Sequence, residues 1–339
     1  MLRLINDGFL VLLVGIGHRT GLFDALDGMP PSSAAGIATA AGLNERYVRE
    51  WLGAMACGGI VEHDPTTDTF VLPSAYADVL TTRAGPRNAA ALAPIVAMLA
   101  AVDDRIVECF RHGGGTEYSD YPAFVRTMSE QSRMLFDLAL IPAILPLVEG
   151  VVDRLERGID VLDVGCGSGH AINVMAARFP RSAFVGYDLL DTAIDAARAE
   201  SQALGLTNTT FEQRDTADLG HDSAFDFATT FSSIHDQAFP RRVLAGIARS
   251  LRPGGVYLCA DAGYSCHLGD NIDLPYAPLA YTISTMHCMP VSLGLGGEGL
   301  GEAWAGPQAL DLLAEAGFGD VIRHTPPWHE GFDYYVCRI

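Results

Sequence analysis

The segment Asp163-Val164-Gly165-Cys166-Gly167-Ser168-Gly169 sets a carboxylate ahead of three alternating glycines. Glycines at this spacing let the backbone come close to a ligand. A dinucleotide-binding G-x-G-x-x-G needs its third glycine where His170 stands, and a phosphate-binding loop needs a lysine after the last glycine; the chain has neither. An acidic-led loop suits a ligand that carries an ammonium and a sulfonium better than one that carries a pyrophosphate, because Asp163 attracts positive charge. Further along, Asp188 closes Gly186-Tyr187-Asp188, a position from which a carboxylate accepts two ribose hydroxyls, and Leu189 follows it. Asp215, with Thr216 beside it, suits an adenine amino group in the same way.

A second set of reactive side chains lies in Phe231-Ser232-Ser233-Ile234-His235-Asp236-Gln237 and in Thr285-Met286-His287-Cys288-Met289-Pro290, the latter followed by a Gly-rich insertion, Gly294 to Gly301. Two imidazoles and one carboxylate, His235, His287 and Asp236, form a set that suits non-haem iron or zinc with open positions. The same residues allow a metal-free reading in which His235 is a general base and His287 shapes the pocket. Arg126 or Arg133 would clamp a substrate carboxylate, although each also reads as a surface arginine.

These residues need elements to hold them. After Gly158 the chain alternates regularly: strands Ile159 to Val164, Ala183 to Tyr187, Thr209 to Arg214, Phe225 to Phe231 and Val256 to Ala260, with helices from Ala171 and Thr192 and over Arg241 to Leu251. Helix Pro307 to Ala316 and the runs Asp320 to His324 and Phe332 to Arg338 predict a terminal antiparallel hairpin. The pattern predicts an α/β domain over 151–339, a Rossmann-like doubly wound sheet of seven strands. Its ligands belong at the carboxyl ends of the strands, which puts the His235 loop beside the chemistry.

Ahead of it, Pro31 to Ala41 and Asn44 to Cys57 read as helices, the second capped by Asn44. Ile60 to Glu62 faces Thr69 to Leu72 across a turn. Helix, turn, helix and a two-stranded wing predict a mostly α-helical, winged-helix-like domain over 1–86. Proline and glycine breaks divide 87–150 into the helices of a linker that contributes to the substrate pocket.

The formal net charge is −19, from 22 Lys and Arg against 41 Asp and Glu, which disfavours polyanions as partners. No nucleic acid is expected, and the winged helix reads as a dimerisation platform. Seven cysteines without a C-x-x-C pair argue against a disulfide framework and fit a reducing cytoplasm. The apolar run Phe9 to Ile16 is too short to span a bilayer, so no membrane partner is expected. It reads as a buried or dimer-forming helix, and a homodimer is predicted.

With the turn Leu251-Arg252-Pro253-Gly254-Gly255, the acidic positions above resemble the class I S-adenosylmethionine-dependent methyltransferase family over roughly the last 180 residues. The resemblance implies S-adenosylmethionine as cofactor, held by Asp163, Gly165, Gly167, Gly169, Asp188, Leu189, Asp215, Thr216 and Phe231. His235, Asp236 and His287 are similar to the metal-binding positions of the α-keto acid C-methyltransferases, including the phenylpyruvate type. That likeness implies iron or zinc as a second cofactor, chelation of a 2-oxo acid, and attack of its enolate carbon on the methyl group. The leading expectation is therefore metal-assisted C-methylation of a small α-keto acid, with His235, Asp236 and Arg126 in catalysis. Its rivals are metal-independent O- or N-methylation with His235 as base, and a cofactor-sensing winged-helix transcriptional regulator.

Overall fold

A computed structural model describes residues 1–339, with every side chain but that of Pro86. The chain forms two compact units, Met1–Ala100 and Ala101–Ile339. The predicted linker is thus divided: 87–100 belongs to the first unit and 101–150 to the second.

In the first unit, helix Leu2–Thr20 stops at Gly21, whose φ of 71° a side chain would oppose. Ser33 and Asn44 cap helices Ala34–Ala41 and Glu45–Cys57, accepting from Gly36 N–H and Arg46 N–H. Strands β1 (Glu62–Asp64) and β2 (Thr69–Val71) pair antiparallel, and Asp64 turns the wing by accepting from Thr66 N–H at 2.8 Å. Phe23, Ile37, Val48, Trp51, Leu52 and Met55 make the core. Gly17 lies against Trp51 where a Cβ would come within 2.6 Å of the indole, and Trp51 Nε1 donates to Leu13 O. The apolar run Phe9 to Ile16 is part of the first helix but is not all buried: Phe9, Leu12 and Ile16 are exposed (67%, 38% and 47%), as are Leu2 and Leu4 ahead of it.

The second unit is built on seven strands: β3 (Asp160–Val164), β4 (Ala183–Asp188), β5 (Thr209–Gln213), β6 (Phe225–Phe231), β7 (Leu251–Ala262), β8 (Asp320–His324) and β9 (Phe332–Arg338). Their order is β5-β4-β3-β6-β7-β9-β8, with β3 to β7 parallel and β9 antiparallel to both its neighbours. The predicted doubly wound sheet and terminal hairpin are what forms, with β9 placed inside the edge strand β8.

Alternation puts Val161, Phe227, Leu258 and Val336 in the core on one face, and Leu162, Ala228, Tyr257 and Tyr335 in the core on the other. Both faces are covered, as a mostly parallel sheet requires. The turn Arg252–Gly255 is a bulge inside β7, between the pairs Phe225↔Leu251 and Phe227↔Val256. Arg252 there bonds Asp160 at 2.8 Å and Asp226 at 2.6 Å, tying together the amino ends of β3 and β6. It works at the edge of the sheet opposite the reactive loops.

Among the described residues no single helix is long and apolar enough to cross a membrane.

Candidate active site

Strand order reverses at β3, which has β4 on one side and β6 on the other, and the Gly loop leaves the carboxyl end of β3 at that point. Gly165 and Cys166 donate their N–H groups to Tyr187 O at 2.8 and 3.0 Å, fastening the loop to β4. Gly165 and Gly169 have φ of +71° and +69° and no room for a side chain: a Cβ would meet Ser233 at 2.6 Å in the first case and Phe211 at 2.5 Å in the second. Gly167, at φ +55°, has nothing within 4 Å of that position. It faces open space, leaving a cradle that a ligand's backbone-hugging portion fits and a Cβ would fill.

Asp188 Oδ2 accepts from Gly167 N–H at 2.8 Å and Oδ1 from Leu190 N–H at 2.9 Å, so both oxygens are oriented and each keeps a free lone pair. Burial raises this carboxyl, and the two N–H groups pull it back. Asp163 is buried under the loop and accepts from Thr229 Oγ1 at 2.8 Å; burial pushes its pKa up to about 7. A cationic ligand would relieve that penalty. Asp215 is exposed and turns the chain by accepting from Ala217 N–H, Leu189 is 38% exposed, and Thr216 donates to Gln237 Oε1 at 2.7 Å. Phe231 ends β6, edge-on to Phe136 at 4.9 Å. The donor set and the cradle fit a nucleoside with a positively charged tail.

The loop after β6 turns sharply at Ser232, whose φ is +52°, and buries both His235 and Asp236. Ser233 Oγ donates to Val164 O at 2.9 Å and locks this loop to the end of β3. His235 Nδ1 lies 2.5 Å from Asp261 Oδ1, and Asp261 is wholly buried at the end of β7. Ile234 and Ala262 donate their N–H groups to the same carboxylate. Burial pushes the imidazolium of His235 down, but Asp261 and the nearby Cys288 outweigh it, so the group stands well above its ordinary value. Asp236 faces elsewhere: Tyr118 Oη donates to its Oδ2 at 3.1 Å, and burial lifts it to about 6.

His287 and Cys288 lie in a π-helical stretch, Ser284–Cys288, that joins helices Ala277–Ile283 and Met289–Gly294. Pro290 has no N–H for the carbonyl four residues back, that of Met286, and Tyr121 Oη donates to it instead at 2.5 Å. Thr116 N–H donates to Pro290 O at 3.0 Å. There Gly115 and Gly294 cross so closely that a Cβ on either would lie 2.0 Å from a carbonyl oxygen. His287 stacks on Phe124 at 4.4 Å with Tyr121 edge-on at 4.7 Å; its Nε2 is buried without a partner, and burial lowers it to about 3.

The structure does not bring His235, Asp236 and His287 into one ligand set. Among the described residues, the group of metal-binding side chains whose ligand atoms all lie within 4.8 Å of one another is His235, Cys288 and Glu302. The physical reason is that Tyr118 engages Asp236 and aromatic rings enclose His287. Burial pushes Cys288 up to about 12 and Glu302 up to about 7. Arg126 is exposed and makes no ion pair among the described residues, while Arg133 pairs with Glu200 at 2.7 Å. A surface cavity of about 540 Å³ is lined by Ile106, Phe110, Tyr281 and Met286, but by none of His235, Asp261 or Cys288.

Sequence reasoning passed over Asp261, Cys288, Glu302 and Tyr118. Asp261 had a signal, a carboxylate at the carboxyl end of a strand, but the predicted strand stopped one residue short of it. Cys288 stood in a segment already singled out for its histidine.

Residues 8–83 match the model of the Rv2258c-like winged HTH domain, and residues 155–279 match a methyltransferase domain model. A trans-aconitate 2-methyltransferase from Acidovorax sp. strain JS42 is 26% identical over 183 residues, 53% of this chain and 63% of that protein. The chain thus spans less than two thirds of that relative's length. Among solved structures, a putative O-methyltransferase from Nostoc punctiforme superposes with a TM-score of 0.75 at 17% identity, covering 99% of this chain and 97% of the other. Human N-acetylserotonin methyltransferase, solved in complex with S-adenosylmethionine, gives 0.69 at 16% identity over 99% and 97%. Residues 8–83 therefore form a winged HTH domain and residues 155–279 a methyltransferase domain, and the chain shares its fold with solved methyltransferases.

Proposed function

We propose that this chain is an S-adenosylmethionine-dependent methyltransferase that acts on a hydroxyl of a small molecule, with His235 as general base. The observation that carries the reading is the His235–Asp261 pair at 2.5 Å, placed at the carboxyl edge of the sheet next to the Gly loop. S-adenosylmethionine supplies an electrophilic methyl group when bound. Asp163, Gly167 and Asp188 would hold it, with Leu189, Asp215, Thr216 and Phe231 around it.

Asp261 fixes the imidazole by its Nδ1 and leaves Nε2 to take the acceptor's proton. It also stabilises the imidazolium that results, which makes His235 a stronger base than a free imidazole at the cost of a smaller unprotonated fraction at neutral pH. Two N–H groups keep Asp261 itself in place. Removing the proton as the methyl group is approached generates the oxygen nucleophile only where it is aligned, and the buried site excludes water as a competitor. The O-methyltransferase among the neighbours supports an oxygen acceptor. C-methylation through a metal on His235, Asp236 and His287 lacks a closed ligand set here.

The winged unit belongs to the same proposal as a homodimerisation platform. On helix Glu45–Cys57, Arg46 pairs with Glu50 and Arg49 with Glu45, so its cations are already neutralised, and the exposed apolar side of Leu2–Thr20 offers a surface for a second copy. Light scattering that shows only monomer would remove this part.

The test of the main reading is methyl transfer from labelled S-adenosylmethionine to a panel of phenols and hydroxy acids. Wild-type turnover that disappears in His235→Ala, with cofactor binding by calorimetry intact, is the expected result. Turnover that survives the substitution would end the base assignment.

A further inference from the structure

The His235 ring has two nitrogens, and the geometry around the second one is not explained by proton transfer alone. Nδ1 is committed to Asp261 at 2.5 Å, so the ring is fixed and Nε2 is the nitrogen left over. Beside the ring stand Cys288 and Glu302, and one ligand atom from each of the three residues lies within 4.8 Å of the others. Cys288 Sγ stands 3.7 Å from Glu302 Oε1. Each of the three is held by something other than its neighbours in the cluster. Asp261 orients the imidazole, the π-helical turn carries Cys288, and Ser284 Oγ accepts from the N–H of Glu302 at 3.2 Å.

The donor chemistry narrows the ligand. One nitrogen, one sulfur and one carboxylate oxygen are a poor match for magnesium or calcium, which take sets of six or more oxygens. They match a borderline-soft ion that accepts four ligands from mixed donors. Thiolate, carboxylate and neutral imidazole carry two negative charges together, so a dication makes the buried set neutral. A carboxylate on the far nitrogen of a ligating histidine is the usual outer support of such a site, and Asp261 stands there.

We propose that His235, Cys288 and Glu302 bind a zinc-class divalent cation, with the fourth position open to water or an oxygen ligand. The site shares Nε2 with the base, so the inference rests on the reading of His235 given above in one respect: the loaded form and the base-competent form exclude each other. Binding itself does not depend on that reading.

The experiment is a titration of the chelator-stripped full chain with Zn²⁺ against a chromophoric zinc indicator, repeated with Co²⁺ and read as an absorption spectrum. One equivalent of Zn²⁺ should bind. The Co²⁺ form should show a thiolate-to-metal charge-transfer band that is absent in Cys288→Ser. Glu302→Gln and Asp261→Asn should each weaken Zn²⁺ by about 10–100-fold, the usual cost of losing an outer partner and a lower bound for a ligand. Circular dichroism identifies any variant that fails to fold, and Cys288→Ser, a near-isosteric change, carries the test in that case. No stoichiometric Zn²⁺ in the wild type, or equal affinity and an unchanged Co²⁺ spectrum in Cys288→Ser, would overturn the proposal. Neither readout uses methyl transfer, so survival of activity in His235→Ala would remove the base assignment and leave the cation site standing.

Discussion

The two halves of the proposed site, for cofactor and for acceptor, are built in opposite ways. The cofactor half is local: Asp163 and three glycines follow one another from a strand into a turn, and Asp188 ends the adjacent strand, bonded back to Gly167 at 2.8 Å. The acceptor half is gathered from four stretches far apart in sequence, which contribute Tyr118 to Phe124, His235 with Asp236, Asp261, and His287 to Glu302. A local site is specified by its own backbone, with glycines at positive φ and N–H groups aimed by the turn. A gathered site depends on every contact that brings the stretches together.

Substitutions that separate the two halves sharpen this comparison. The largest effect is expected on the acceptor side. His235→Ala or Asp261→Asn should cut turnover by on the order of 10²–10⁴-fold while S-adenosylmethionine affinity, read by calorimetry, stays within error. A parallel loss of cofactor binding would show that the halves are not separable.

Next comes Asp188→Ala, which removes two oriented acceptor oxygens at little cost to packing. It should weaken cofactor binding by about 1.5–3 kcal/mol, the range for hydrogen bonds to a charged group. Unchanged affinity would take Asp188 out of the cofactor half.

A smaller effect is expected from pH. Asp163 is raised to about 7 by burial, so below that value it holds a proton and presents no charge to a cationic ligand. A positively charged cofactor favours the ionised form. Its affinity should therefore rise with pH by up to about tenfold per unit below 7 and level off above. Asp163→Asn should flatten the profile; a wild-type affinity that is level from about pH 5 to about pH 8 would contradict this.

The smallest effect tests how the acceptor half is gathered. Tyr121→Phe leaves the half-buried Met286 carbonyl without its donor and should lower stability by about 0.5–1.5 kcal/mol, the net worth of a typical hydrogen bond, as followed by denaturant unfolding. No change would mean that water or another group already serves that carbonyl.

The same contrast explains what could be read in the sequence. The Gly loop and Asp188 were legible, because spacing along one strand-turn unit is spacing in space. The seven strands were legible for a related reason: each alternates or runs apolar within a few residues, and β6, β8 and β9 fall within their predicted bounds.

The acceptor half was legible only as loose reactive residues. His235 and His287 were found, but their partners were not, since nothing in the spacing tells that Tyr118 engages Asp236 or that rings close around His287. Arg126 looked suitable by charge and is exposed. The π-helical turn depends on a proline and on a tyrosine in a different stretch, so no local pattern announces it.

The crossing of Gly115 over Gly294 has a consequence for how the acceptor half can change over generations. With carbonyl oxygens 2.0 Å from where a Cβ would sit, neither position admits any other residue without shifting the chain, so this point behaves as a rivet. Segments leaving a rivet can exchange their side chains freely while their starting positions stay fixed. Phe124 and Met286 lie a short distance along the chain from it and make no hydrogen bond to the His235–Asp261 pair, so their side chains can be remodelled for a new acceptor, whereas Tyr118 is tied to Asp236. Diversification in such a protein would be written in those side chains, with the two glycines held constant.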